Sequence, residues 1–527
     1  MKAEQEGRHN KVKALQWILS NSFSAKAIAV KRVTENKGKR TAGVDHILWS
    51  TSESKGQAIK SLSKKRYKPS PLKRIYIEKS NGKLRSLSIP TMKDRAMQAL
   101  YLLGLEPVSE NRADPNSYGF RSERSTHDAI EQCFNALATR LSATWVLEAD
   151  IQGCFDNISK SWLEENIPMD KTILHKWLEC GILENNSFIP TDRGTPQGGI
   201  ISPCLMNLTL DGLEREIRKL SSRNNPEKLN FVRYADDWII TGNDKEVLEN
   251  RVKPIAEKFL AERGLRLSPE KTRIVHMSQG FDFLGQNIRK YGDKLLITPS
   301  KKNIKTFLDK VRTTIRDNKG AKQEVLIRLL NPMIRGWANY HRCVVAKRIF
   351  SEVDTEIWKA LGQWENRRHP HKNVHWIRQK YRRRIGNLGN VFSCYTEEGK
   401  LLTLFNASSI PIQRHVKIKG DANPFASEWD SYFEKRGAWK IQKNLSGQKR
   451  LLAVWHRQHG KCPVCSRLLT EREEFEVHHI LPRSQGGTNL SSNLALLHSN
   501  CHNQVHHPLS NVVLSAEPAY QGLSGLL

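Results

Sequence analysis

Between about residues 60 and 290 the chain alternates short apolar runs with helix-length stretches. RIYIEK (74–79), LRSLSIP (84–90), TWVLEAD (144–150), NFVRYADDWII (230–240) and TRIVHM (272–277) carry the β-branched and aromatic content of strands. Their interleaving with helical segments predicts α+β texture. From 301 the period changes. In IKTFLDKVRTTI and EVLIRLLNPMIRGWANYH apolar residues recur every three or four positions, which predicts packed amphipathic helices. Residues 385–445 have less pattern, with Gly, Asn and Pro scattered through them, and 456–507 turn to Cys and His. Internal repeats and low-complexity tracts are absent from the sequence.

Length and composition narrow this picture. At ~100–200 residues per domain, 527 residues suggest three or four domains. With 38% hydrophobic residues there is material for real cores. The 85 Lys+Arg against 54 Asp+Glu leave a net charge of +31, which points to a polyanionic partner. From 301 to 390 there are 22 Lys+Arg and 7 Asp+Glu, so +15 of the +31 sits on the helical block. Its tryptophans and tyrosines, with the run RRHPHKNVHWIRQKYRRR (367–384), favour nucleic-acid contact over an ordinary solvated face. No apolar run approaches the ~18–20 residues that span a bilayer, so no membrane partner is expected. The polar start and nine dispersed cysteines point to a reducing compartment, the cytoplasm or nucleoid.

Two segments place acids at the ends of strands. TWVLEAD ends at Asp150, with Phe155 and Asp156 following; FVRYADDWII puts Asp236 and Asp237 between two apolar arms, as at a hairpin tip. Adjacent like charges are best tolerated around a divalent cation. Asp150 beside Asp236 would make a two-metal site for phosphoryl displacement. Taken singly, a surface turn or a helix cap explains each acid as well.

A second cluster lies near the end. Cys462-x2-Cys465 and His498-x2-Cys501 have zinc-knuckle spacing, and thiolates with imidazole select Zn²⁺ in a closed structural site. They bracket His478-His479 on a strand, Asn493, and His502 with His506 on one helical face.

Together these motifs resemble a reverse transcriptase of the kind encoded by group II introns. The Tyr-Ala-Asp-Asp box at 234–237 resembles the polymerase palm, and GTPQGG at 194–199 with Ser202-Pro203 the nucleotide-binding turn. Residues 72–95 resemble the fingers and 114–130 the adjoining segment, and LSPEKT (267–272) and FDFLG (281–285) the last palm motifs. RGWANYH at 335–341 resembles the maturase signature, and the terminal constellation resembles the HNH nuclease motif, with His498 where many relatives carry cysteine.

The resemblance implies a multidomain α+β protein: a right-hand polymerase of fingers and palm, an α-helical thumb (maturase X), and a C-terminal ββα-metal HNH nuclease. The expected boundaries are 1–55 for an amino-terminal extension, 56–295 for fingers and palm, and 296–390 for the thumb. A linker or DNA-binding region at 391–445 and the nuclease with its zinc knuckle at 446–527 follow. Asp150 and Asp236 would hold two Mg²⁺ ions with Asp237 in support. Lys83 and Arg85, on the hairpin after Asn81-Gly82, would neutralise the triphosphate, Phe155 would exclude a 2′-hydroxyl, and Gln197 would touch the nucleotide. Lys271 would give a proton to pyrophosphate. His479 would be general base, oriented by Asn493, while His478, His502 and His506 would hold one Mg²⁺. Arg335, Trp337, Arg367, Arg368, Arg382, Arg383 and Arg384 would contact RNA or DNA.

The implied partners are intron RNA, target DNA, deoxynucleoside triphosphates and, as an open option, a second copy of the chain, in a bacterium. The implied function joins RNA-directed DNA polymerase, splicing maturase and DNA endonuclease in retrohoming. A maturase with decayed enzymes, and another mobile-element or defence-associated reverse transcriptase, stay open as alternatives.

Overall fold

The structure, a computed structural model, describes residues 1–506 except 79–81, 83, 186, 192–193, 196–197, 222–223, 387, 446–447 and 471–474. Its contacts divide it into two units, Met1–Asp421 and Ala422–Leu527.

Helix formation in the first unit follows from capping and apolar spacing. Helices α1 (His9–Asn21) and α2 (Phe23–Glu35) meet at Ser22, whose hydroxyl accepts the Ala25 N–H and caps α2. The three- and four-residue spacing of Ala25, Ala29, Val30 and Val33 turns one face of α2 onto the long helix α3 (Met92–Arg112). Strands β1 (Leu72–Glu78) and β2 (Leu84–Ile89) pair antiparallel from Lys73 opposite Ile89 to Glu78 opposite Leu84. After α4 (Thr126–Leu137), capped by Ser125 with Asp128 in a reciprocal capping box, comes β3 (Trp145–Asp150). The short hairpin of β4 (Ile182–Glu184) and β5 (Ser187–Ile189) joins β1 in a sheet ordered β2–β1–β4–β5.

The central sheet adds the hairpin β6 (Asn230–Tyr234) and β7 (Asp237–Gly242) and then β8 (Arg273–His276), in the order β6–β7–β3–β8, every neighbour antiparallel. Val146, Leu147, Phe231, Val232, Trp238, Ile239 and Ile240 are buried, so the strand cores are apolar and the acids fall at their ends. A small antiparallel sheet of β9 (Phe281–Phe283), β10 (Gln286–Tyr291) and β11 (Lys294–Pro299) leads into the helical block.

That block is formed by α5 (Lys301–Asp317), α6 (Gln323–His341), α7 (Lys347–Arg368) and α8 (Val374–Tyr381). The predicted periodicity is what α5 and α6 bury, Phe307, Val311 and Ile315 from the first and Leu326, Leu330, Ile334 and Ala338 from the second; α7 adds Phe350, Val353, Ile357, Leu361 and Trp364. The stretch expected as a linker or DNA-binding region begins with ordered strands. Strands β12 (Arg382–Ile385), β13 (Leu388–Tyr395) and β14 (Leu401–Thr403) form a sheet against α6, and the chain to Asp421 belongs to the first unit. Glycine and asparagine mark turns here rather than a loose connection.

In the second unit α9 (Lys449–Arg457) precedes β15 (Phe475–His479), which pairs antiparallel with β16 (Leu494–His498), and α10 (Ser499–Val505) follows directly. Val454, Cys462, Leu469, Leu496, Leu497 and Cys501 share its small core. Among the described residues no helix is long and apolar enough to cross a membrane.

Candidate active sites

Strand pairing gathers the first set of acids. Asp150 ends β3 directly opposite Asp237 at the start of β7, and Tyr234 pairs with the same Asp237 across the β6–β7 hairpin. Ala235 and Asp236 are therefore the two-residue tip. Ala235 has φ of 59°, a left-handed conformation costly for a residue with a Cβ. Neighbours hold it there. Gly119 lies so close that a Cβ on it would come within 2.2 Å of the Ala235 nitrogen, so only glycine fits. The fully buried Arg233 donates to Asn207 Oδ1 (3.2 Å) and to the Ala235 carbonyl (3.4 Å), and is ion-paired with Asp211.

Crowding shows in the protonation of these acids. Burial, and then the charge of Asp150, raises Asp236; burial, and then the charges of Asp236 and Asp150, raises Asp237. Lys271 Nζ sits 2.7 Å from Asp150 Oδ2, and that bond raises its ammonium in turn. Carboxylates that cannot all ionise unaided are a donor set that suits hard divalent cations. A cleft of about 440 Å³ opens beside them, lined by Asp150, Asp237, Lys271, Arg273 and Lys302.

Of the residues expected around the nucleotide, Arg85 lies on β2 and its charge reaches Asp236. Phe155 is on the short helix Cys154–Asn157 after β3, partly buried against the core. The GTPQGG turn is fastened to it: Thr195 N–H donates to the Phe155 carbonyl (2.7 Å) and Gly194 N–H to that of Ile158 (2.8 Å). Lys83, Gln197 and the hairpin residue Asn81 lie outside the described residues.

The second unit brings together two clusters of metal-ligating groups. Cys462, Cys465, His498 and Cys501 place their ligand atoms within 4.8 Å of one another. His498 Nδ1 faces Cys465 Sγ at 3.3 Å while Nε2 meets the Leu468 carbonyl at 3.3 Å, which fixes the tautomer and makes histidine a competent fourth ligand. Burial weakens both the Cys465 and Cys501 thiolates, but hydrogen bonds from Arg467, Cys501 and His498 pull Cys465 down to about 6. Two thiols and an imidazole turned toward one thiolate fit a closed four-ligand centre.

The other cluster is His478, His502 and His506, again within 4.8 Å. Period-two geometry separates the adjacent histidines of β15: His478 is buried and His479 half-buried. Glu476 shares the His478 face and its Oε2 is 3.1 Å from His502 Nδ1, leaving His502 Nε2 to face His506 Nε2 at 3.2 Å. Three imidazoles, one oriented by a carboxylate, fit a divalent cation with open positions. His479 Nε2 is 2.8 Å from Asn489 Oδ1. Asn493, expected to fix His479 through the neighbouring strand or turn, accepts the Leu481 N–H (2.8 Å) and donates to the carbonyls of Leu481 (3.1 Å) and Thr488 (2.8 Å). It closes the loop that carries Asn489. Gly487 lets that loop close, since a Cβ there would lie 1.8 Å from the Leu481 oxygen.

Family models match in one consistent order along this architecture. The N-terminal domain of reverse transcriptase matches residues 1–62, reverse transcriptase (RNA-dependent DNA polymerase) 77–288, the group II intron maturase-specific domain 304–382, and HNH endonuclease 462–508. Protein YkfC of Escherichia coli (strain K12) is 31% identical over 321 residues, 52% of this chain and 83% of that protein. Group II intron-encoded protein LtrA of Lactococcus lactis subsp. cremoris is 31% identical over 328 residues. The chain belongs to the group II intron-encoded proteins. With LtrA the match covers 50% of this chain and 54% of LtrA. A telomerase structure from Candida albicans aligns over 61% of this chain and 67% of that one at 12% identity, with a TM-score of 0.36. By its family matches, this group II intron-encoded protein carries reverse transcriptase, maturase and HNH nuclease domains in one chain.

Its thumb corrects part of the expected nucleic-acid surface. Arg382 is buried, with Nε 2.8 and 3.1 Å from the two Glu365 oxygens, and is a structural ion pair. Trp337 is an internal peg: it stacks on Phe307 at 4.7 Å and its indole N–H donates to Asn303 Oδ1. Arg383 is half-buried, bonded to the Ser393 carbonyl and 5.2 Å from the Tyr395 ring centre. Arg335, Arg367, Arg368 and Arg384 are exposed, although Arg368 also donates to the carbonyls of Lys319 and Ala321, and Arg335 lies over Phe405. Arginine density says how much charge a segment carries, not which guanidinium the packing consumes. Gly119, Arg233, Glu476 and Asn489 were not singled out from sequence. Only Glu476 had a signal, its place two residues before His478 on a strand.

Proposed function

We propose that this chain forms a ribonucleoprotein with its own intron RNA, nicks one strand of a DNA target and copies the RNA from the freed 3′ end. The observation that carries the reading is Asp150 directly across from Asp237 beside the Asp236 tip, with burial and mutual repulsion raising the last two. Asp150 and Asp236 would hold two Mg²⁺ ions, which supply Lewis-acid stabilisation to the attacking and leaving oxygens. Asp237 supports that site across the sheet. Arg85, with Lys83, neutralises the triphosphate of an incoming deoxynucleotide, and Gln197 contacts the nucleotide. Phe155 sits under the sugar and rejects a 2′-hydroxyl. Lys271 hands a proton to departing pyrophosphate.

In the nuclease, His478, His502 and His506 would hold one Mg²⁺ ion, which supplies charge stabilisation at the leaving oxygen. His479 donates its Nε2 proton to Asn489 and so presents Nδ1 as the base toward water. Cys462, Cys465, His498 and Cys501 would hold a structural Zn²⁺. The exposed arginines of the thumb grip intron RNA through phosphate and shape. The setting is a bacterial nucleoid, where a second copy of the chain could share the same RNA.

A target-primed assay tests the whole reading. Purified ribonucleoprotein given duplex DNA and deoxynucleotides should yield a nicked strand extended with intron sequence, and intron RNA should dominate the RNA that co-purifies. Nicks that are never extended, or co-purified RNA without an intron, would contradict it.

A further inference from the structure

Residues 383–461 fall between the maturase and nuclease matches, yet the structure gives part of this stretch a defined path. After β14 the chain runs along the thumb. Phe405 N–H donates to Asn331 Oδ1 (2.8 Å) on α6, Ala407 and Ser408 N–H donate to the Asp354 carboxylate (2.8 and 2.9 Å) on α7, and Lys347 Nζ donates to the Ile410 carbonyl (3.2 Å). Gln413 N–H then donates to the Arg342 carbonyl at the end of α6 (2.8 Å).

From there it crosses to α4. Arg414 reaches Glu131 Oε1 at 3.0 and 2.9 Å and covers the Phe134 ring at 4.8 Å. His415 Nε2 is 2.8 Å from Asp128 Oδ1, and Ile418 N–H donates to the same oxygen at 2.8 Å. Arg124 then donates to the Gly420 carbonyl at 3.3 Å. The Arg414 pair is exposed and worth little, but the His415 and Asp128 side chains are only 14% and 1% exposed. Burial alone would raise Asp128; the hydrogen bond and charge of His415, with the Ile418 N–H and the Ser125 hydroxyl, outweigh it and hold the carboxyl at about 2.

α4 belongs to the palm, where it packs on β6, one arm of the catalytic hairpin. The thumb meets the palm through the Tyr340 hydroxyl on the Leu284 carbonyl (2.7 Å), His341 on Gln286 (3.0 Å) and the Tyr340 carbonyl on His127 Nε2 of α4 (2.8 Å), all from the end of α6. The strap adds its own bonds to α4 from Arg414, His415 and Ile418, and the His415 ring centre lies 5.6 Å from that of His127. Attachment by two different segments restricts the angle of the helical block more than either does alone.

We propose that residues 405–421 are a strap that locks the thumb onto the palm, with His415 and Asp128 as positioning residues that set how long template and primer stay gripped during copying. This rests on the polymerase reading above. The strap touches none of the catalytic acids, so loosening it changes grip rather than chemistry.

The test uses the full-length protein on a long primed RNA template, with a trap that permits one binding event, and measures both the first-nucleotide rate and the final product length. His415→Ala should shorten products several-fold at an unchanged first-nucleotide rate. His415→Gln, which keeps an N–H for Asp128, should recover most of the length. Hydrogen exchange should rise in His415→Ala at the start of α4 and the end of α6. Unchanged product length, or a first-nucleotide rate that falls in proportion, would overturn the proposal. A wild-type chain that adds no nucleotide would instead refute the polymerase reading, and exchange unaltered by His415→Ala would still refute the strap.

Discussion

Lys271 Nζ lies 2.7 Å from Asp150 Oδ2, on the carboxylate that ends the central palm strand. An ammonium there offers the positive charge that the crowded acids require, and it competes with any divalent cation for the same oxygen. A metal ion held by Asp150 would free Lys271 for the proton transfer proposed above. Lys271→Ala should therefore lower the Mg²⁺ concentration for half-maximal incorporation and, if Lys271 is the proton donor proposed above, reduce the maximal rate about 10²-fold or more. A Mg²⁺ titration of single-nucleotide incorporation reads both changes.

Arg382 and Arg384 are two residues apart and should behave as opposites. Arg382 is buried against Glu365, so Arg382→Ala strands a buried carboxylate and should cost the thumb about 3–5 kcal/mol. Arg384 is exposed; Arg384→Ala should leave the melting temperature unchanged and flatten the salt dependence of RNA binding by roughly one phosphate contact. Thermal unfolding and RNA affinity across a salt series distinguish the two.

Asp128 gives a pH signature. Its carboxyl is held at about 2, below the ordinary carboxylate range, so the stability it contributes is complete above the unfolded value near 4. That contribution disappears as pH falls through the folded value. Asp128→Asn should cost about 2 kcal/mol at neutral pH, and the gap to wild type should close between about pH 4 and pH 2. Urea unfolding across that range measures it.

The two clusters of the second unit should respond differently. Cys462 is fully buried in its core, so Cys462→Ser, or a chelator that strips the four-ligand centre, should unfold this unit and abolish nicking while primer extension survives in restored Mg²⁺. Glu476→Gln leaves the fold intact but loosens His502. Nicking should then need roughly 10- to 100-fold more metal and recover when it is supplied. Limited proteolysis separates loss of fold from loss of affinity.

Which features were readable from sequence follows from what each depends on. The palm strands and the first two thumb helices rest on local periodicity, and most of the apolar positions that recur in α5 and α6 are buried. The Tyr-Ala-Asp-Asp tip and the Cys/His pairs announce themselves by composition at fixed spacing. Other features depend on partners far away in sequence. Arg382 looks like its neighbours until Glu365 is found beside it, Trp337 looks like a stacking platform until Phe307 covers it, and Gly119 gains meaning only against Ala235. The strap lies within the 391–445 stretch expected as a linker or DNA-binding region, and its role is hidden in the sequence because extended chain that bonds to helices through its backbone has no period to display.

Asp150, Asp236 and Asp237 should form a polymerase site that works independently of the nuclease. The most direct test is primer extension on an RNA template by wild-type and Asp236→Ala ribonucleoproteins, with DNA nicking measured in the same preparations. The expected result is extension reduced to background in Asp236→Ala with nicking retained; extension at the wild-type rate would contradict the assignment.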